Sequence, residues 1–131
     1  MRGVDTNVIV RYLTQDDPVQ ARKANAVIEG ALVAGEQLHL DDIVICELEW
    51  VLSSAYGFDR ATISDTLLKL IDSAQLSVND RDAVREAVTR YAESAGDFAD
   101  YLIGSQNLRC GCESTLTFDR ALRHSELFTL L

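Results

Sequence analysis

An α/β fold, in which helices flank a central and mostly parallel sheet of about five short strands, is what this sequence predicts. Three observations predict it. Short strand-like runs alternate with longer helix-like runs along the whole chain. Asp, Pro and Gly stand where those runs begin and end. A single proline and the lack of any low-complexity stretch, charge block or repeat leave no linker at which to divide the 131 residues. The expectation is therefore one domain over residues 1–131.

The elements follow in order. Arg2–Val4 reads as a first strand, running through Asp5-Thr6-Asn7 into Val8-Ile9-Val10-Arg11-Tyr12-Leu13, which is apolar at helical spacing. Asp17-Pro18 starts a second helix, with a capping carboxylate before a proline at the first helical position, and Gly35 marks its end after about Val33. Leu38-His39-Leu40 is the second strand. An amphipathic run from Asp42 to Tyr56 stops at Gly57, and Asp59 caps a further helix through Ile71. Leu76-Ser77-Val78 is the third strand, and Arg81 to about Ser94 the next helix. Gly96-Asp97 opens another helix with Asp97 as its cap. Thr115–Phe118 reads as a fourth strand and Phe128–Leu131 as a short last one.

Composition narrows the chemistry. No apolar run approaches the ~20 residues that a membrane span requires, and the first residues lack the pattern of a secretory signal, so a cytoplasmic protein is expected. Three cysteines, Cys46, Cys110 and Cys112, suit a reduced compartment, and Cys110-Gly111-Cys112 has no second pair with which to build a zinc framework. With only His39 and His124 available, any metal should be hard and oxygen-bound, which means Mg²⁺ or Mn²⁺. The net charge of −9 argues against nucleic acid unless the negative charge is gathered where a cation neutralises it.

The acidic residues decide between those readings. Asp5 and Asp119 fall just after the first and fourth strands, at the carboxyl edge where parallel sheets build their sites. Asp97 and Asp100 stand three apart at a helix start and share a face. Glu47 lies within the apolar run Ile43-Val44-Ile45-Cys46-Glu47-Leu48, where a carboxylate is costly without a compensating partner. Each has a plainer explanation: Asp5 and Asp97 as helix caps, Asp100 as a first-turn carboxylate, Asp119 as a turn former, and Glu47 on a solvated stripe as its neighbour Glu49 is expected to be. Their joint occurrence in one small domain is what weakens those explanations.

The chain resembles the PIN-domain family, and within it the VapC-type toxins of bacterial toxin–antitoxin pairs. The resemblance rests on Val4-Asp5-Thr6-Asn7-Val8-Ile9, Cys46-Glu47-Leu48-Glu49-Trp50-Val51-Leu52, Asp97-Phe98-Ala99-Asp100-Tyr101-Leu102-Ile103 and Thr117-Phe118-Asp119, in that order and spacing. It implies an acidic quartet of Asp5, Glu47, Asp100 and Asp119, with Asp97 as a cap and possible extra member. It also implies that Thr6, Asn7 and Thr117 orient the acidic groups. The chain departs from the family pattern at Gly104, where alanine is common, and at Arg2-Gly3, which make the first strand less apolar.

The resemblance further implies hydrolysis of RNA phosphodiester bonds with Mg²⁺ or Mn²⁺, leaving a 5′-phosphate and a 3′-hydroxyl. Asp5 and Asp100 are the expected direct metal ligands. Arg11, Arg22, Lys23, Arg120 and Arg123 are candidates to hold backbone phosphates. The implied partner is a small antitoxin with a basic C-terminal segment, in a homodimer or a toxin–antitoxin hetero-oligomer, with Val8, Tyr12, Val27 and Ile28 available to either interface. Two alternatives stand beside this reading. One is a PIN nuclease of RNA processing outside a toxin–antitoxin pair. The other, an aspartate-based phosphotransfer protein, is disfavoured because the only lysines are Lys23 and Lys69 and Asn7 stands where a phosphatase needs aspartate.

Overall fold

In the computed structural model, which describes residues 1–131, every α-helix begins directly after an aspartate. The six caps are Asp5, Asp17, Asp41, Asp59, Asp80 and Asp97, all with extended backbone, and Asp119 precedes a single 3₁₀ turn in the same way. A carboxylate there faces the positive end of the helix dipole, and those of Asp5, Asp17, Asp41, Asp59, Asp80 and Asp119 accept backbone amides in the first turn. Much of the chain's acidity therefore has a local structural use. No helix is long and apolar enough to cross a membrane.

The chain divides into two units, Met1–Asn79 and Asp80–Leu131. In the first, β1 (Arg2–Gly3), α1 (Thr6–Thr14), α2 (Pro18–Ala34), β2 (Leu38–Leu40), α3 (Asp42–Ser54), α4 (Arg60–Asp72) and β3 (Leu76–Val78) follow one another. The three strands pair in the order β1-β2-β3, all parallel. Parallel neighbours require long crossovers, and these carry the helices in pairs, α1 with α2 and α3 with α4. The buried residues are those that the helical period selects: Ile45, Leu48 and Leu52 on α3, and Ile63, Leu67 and Ile71 on α4. On α1, Ile9 and Val10 are buried, and Leu38 and Leu40 on β2 complete this core.

The second unit holds α5 (Arg81–Glu93), α6 (Phe98–Arg109), β4 (Thr115–Thr117), the 3₁₀ turn Arg120–Leu122 and β5 (Phe128–Leu130). Strands β4 and β5 are parallel, with Thr115 opposite Phe128 and Thr117 opposite Leu130. Helices α5 and α6 pack on each other through edge-on contact of Tyr91 with Phe98, ring centres 6.1 Å apart. Tyr101 meets Phe128 similarly at 6.4 Å. The turn between the helices requires Gly96. Its amide donates to the Tyr101 hydroxyl at 2.9 Å, and a Cβ there would collide with Leu122 and the Tyr101 ring.

The predicted α/β architecture is observed, with six helices and only parallel strand pairings, but the five strands are hydrogen-bonded as three and two. Strands β2 and β3 match their predicted bounds. Helix α3 ends at Ser54, two residues before the expected Tyr56, because the chain reverses at Gly57, with φ of 66°, and the Phe58 amide closes back on the Leu52 carbonyl at 3.0 Å. The 3₁₀ turn was not expected. It forms because Asp119 offers both its carbonyl to the Leu122 amide and its carboxylate to the Ala121 amide.

Candidate active site

The carboxyl edge of the three-stranded sheet is where the first candidate stands. Gly3, His39 and Ser77 occupy one register level, so two residues further on Asp5, Asp41 and Asn79 leave the sheet together. Asp5 caps α1 and accepts the Thr6 amide at 2.8 Å. Thr6 is buried, and its hydroxyl has no hydrogen-bond partner. Asn7 lies exposed on the next helical position.

Asp41 was missed by the sequence reading, although it follows its strand as Asp5 follows its own. Its carboxylate accepts the Ile43 amide at 3.0 Å and the Asn79 side-chain amide at 3.3 Å. Those two hydrogen bonds, with a smaller contribution from His39, hold the group below the usual carboxylate range against the opposing effect of burial.

Glu47 projects from α3 on the face opposite the buried stripe and is exposed, between exposed Ile43 and Trp50 on neighbouring turns. Glu49 is half-buried and has interactions of its own. The expected environments of the two glutamates are therefore reversed. With Ile45, Leu48 and Leu52 facing the core, position 49 flanks that stripe and position 47 lies away from it.

The second unit gathers the other acidic residues. Asp97 caps α6, and its amide donates to the Asp100 carboxylate at 3.3 Å. Asp100 is half-buried, and its carboxyl is raised from the ordinary value. Burial is the main cause, the charges of Asp97 and Asp119 add to it, and the Asp97 amide opposes it. Asp119 is exposed after β4, with its carboxylate on the Ala121 amide at 2.9 Å and its own amide donating to the Thr117 hydroxyl at 3.0 Å. The charges of Asp97 and Asp119 thus both bear on Asp100 within this unit. In neither unit do three or more Asp, Glu, His or Cys side chains form a ready metal cage.

The donor set nevertheless suits a hard dication. The first unit offers carboxylate oxygens and the orphaned Thr6 hydroxyl; the second offers half-buried Asp100, whose carboxyl is raised first by burial and then by the charges of Asp97 and Asp119, which a cation would offset. The candidate phosphate-binding cations fare less evenly. Arg11 is engaged by Asp16 at 3.0 Å, Gln20 at 2.7 Å and Tyr56, which removes it from that role. Arg22, Lys23, Arg120 and Arg123 are exposed, with Arg123 donating to the Arg120 carbonyl at 2.6 Å.

Comparison with known proteins agrees with the resemblance read from the motifs. The chain is 24% identical over 123 residues to a VapC ribonuclease of Aquifex aeolicus (strain VF5), an alignment covering 94% of this chain and 90% of that protein. No solved structure matches. The family model described as PIN domain matches residues 4–126, which include all four acidic positions and run through both units. The chain belongs to the PIN-domain family.

Proposed function

We propose that this chain is a VapC-like endoribonuclease that uses Mg²⁺ or Mn²⁺ to hydrolyse RNA phosphodiester bonds, and that an antitoxin neutralises it. The observation that carries the reading is the PIN match over residues 4–126, within which Asp5, Glu47, Asp100 and Asp119 all fall. The related protein named a ribonuclease, aligned over nearly the whole chain, supports the same class of reaction. Residues 1–131 then work as one domain, and its place is the cytoplasm.

In this reading Asp5 and Asp100 are the direct ligands of the cation, with Glu47 and Asp119 completing the acidic quartet. A divalent cation supplies Lewis-acid polarisation of the phosphate and lowers the cost of producing hydroxide near neutral pH. The chain's own groups do the positioning. The Thr6 amide fixes the Asp5 carboxylate, the Asp97 amide fixes that of Asp100, and the Ala121 amide with Thr117 holds Asp119 in place. The burial of Asp100 strengthens any interaction it makes with a cation, because its charge is less screened by water. Exposed Arg22, Lys23, Arg120 and Arg123 are left to meet backbone phosphates.

An acidic catalytic face also suits a basic partner segment, which would place cations against the carboxylates and compete with the metal. Assembly as a homodimer or as a toxin–antitoxin hetero-oligomer follows from the same reading. The test is cleavage of RNA by the purified chain with Mg²⁺, with Mn²⁺ and with EDTA, mapping the ends produced. Cleavage that needs the cation and leaves 5′-phosphate ends supports the proposal. Cleavage unaffected by EDTA, or none under any condition, overturns it.

A further inference from the structure

The turn that follows α6 carries a pair of thiols which the nuclease reading does not use. Cys110 and Cys112 are both exposed and both free, whereas Cys46 is half-buried and its thiol is pushed up to about 11, chiefly by burial. Burial and a raised pKa keep Cys46 inert at neutral pH. The exposed pair is different in both access and geometry.

Helix α6 ends at Arg109, and Cys110 is its C-cap with φ of −79° and ψ of −3°. Gly111 then turns the chain with φ of 97°, a conformation that a residue with a side chain rarely adopts. Three amides hold the turn closed. Cys110 donates to the carbonyls of Gln106 and Asn107 at 3.0 and 3.1 Å, Gly111 to Leu108 at 3.0 Å, and Cys112 to Asn107 at 3.0 Å. Two Cα steps of ~3.8 Å limit the Cys110–Cys112 separation to at most about 7.6 Å, and the fold at Gly111 shortens it toward the ~4.4–6.8 Å span that a disulfide bridges. No third His, Cys, Asp or Glu joins them in a metal-holding group. Two soft ligands and no third favour thiol chemistry over a metal site.

We propose that Cys110 and Cys112 are a dithiol that closes to an intramolecular disulfide on reaction with a low-molecular-weight disulfide such as oxidised glutathione. One cysteine, as its thiolate, attacks a sulfur of the small disulfide, forming a mixed disulfide and releasing one glutathione. The second thiolate attacks the protein sulfur of that mixed disulfide and releases the other. The protein gives up two electrons and two protons, and one oxidised glutathione becomes two reduced ones. The ring closed by a single intervening glycine is small and strained, so reduced glutathione reopens it readily. This bond reports the redox state of its surroundings and does not staple the fold.

The test uses the full chain equilibrated over a series of ratios of oxidised to reduced glutathione, quenched by alkylation and analysed by mass. The expected product carries no alkyl group on the segment holding Cys110 and Cys112, and that segment is about 2 Da lighter than its unalkylated dithiol form. It should disappear in Cys110→Ser and in Cys112→Ser, persist in Cys46→Ser, and revert with dithiothreitol. Recovery of both cysteines alkylated, of stable glutathione adducts on each, or of chains cross-linked through these residues overturns the proposal. Circular dichroism of the serine variants establishes that they fold.

Discussion

The amide of Asp97 donates to the carboxylate of Asp100 across 3.3 Å, so the residue that caps α6 also anchors the half-buried acid one turn inside it. That acid carries a raised carboxyl because burial and the charges of Asp97 and Asp119 oppose its ionisation. A folded state that keeps a crowded carboxylate at this position bears a cost that a bound cation would relieve.

Replacing that charge should therefore separate activity from stability. Asp100→Asn and Asp5→Asn are each expected to lower RNA cleavage at least ~100-fold while the fold is retained, since each removes a carboxylate proposed as a metal ligand. For Asp100→Asn the thermal midpoint in EDTA should stay level or rise at neutral pH. Cleavage assays paired with thermal melts check this, and unchanged cleavage in either variant contradicts the assignment.

The two glutamates of α3 offer a sharper comparison. Glu47 is exposed and Glu49 half-buried beside the core stripe. Glu47→Gln should depress cleavage with a change in stability within ~0.5 kcal/mol, as for most surface substitutions. Glu49→Gln should leave cleavage within a few-fold of the parent. Equal losses of activity would mean that the wrong glutamate has been placed in the quartet.

Gly104 illustrates how a departure from a family pattern finds its reason in packing. A Cβ at this position would stand 2.9 Å from Phe128 Cζ and 3.2 Å from Leu127 Cβ, so the Phe128 ring occupies the space that an alanine methyl would take. Gly104→Ala should destabilise the protein by about 1–3 kcal/mol through overpacking, despite its better helix propensity. Gly104→Ala combined with Phe128→Leu should recover part of the loss. Urea denaturation of the single and double variants measures both effects.

Asp16 provides the acid-range prediction. Its carboxyl is lowered to about 2, first by the Tyr56 hydroxyl, then by Thr14 and by the charge of Arg11. A group lowered on folding gives stability that is complete above its unfolded value near ~4 and is lost as pH falls toward 2. Tyr56→Phe should raise the Asp16 carboxyl and make the loss of stability over that window shallower. Denaturant midpoints measured across the window should show a steeper fall for the parent than for the variant.

Much of this was legible in the residues themselves. Asp17-Pro18, Asp59, Asp97 and Gly35 announce their helix ends because capping is local chemistry, readable over a few positions. The short runs Leu38–Leu40 and Leu76–Val78 stood out for the same reason. What escaped notice depends on distant partners. Arg11 is engaged by Tyr56, 45 positions away, and the exposure of Glu47 follows from which face of α3 meets the core. Asp41 was overlooked because its role at the sheet edge emerges only when Asn79 arrives beside it. The candidate quartet was found through motif order, and its members then proved to be held by local amides at Asp5, Asp100 and Asp119.

The most direct measurement is calorimetric titration of Mn²⁺ and Mg²⁺ into the intact, metal-stripped chain and into Asp5→Asn and Asp100→Asn. Saturable binding to the parent, weakened at least ~10-fold in each variant, is the predicted result. No uptake by the parent, or equal affinity in all three proteins, would contradict the claim that these carboxylates hold the catalytic ion.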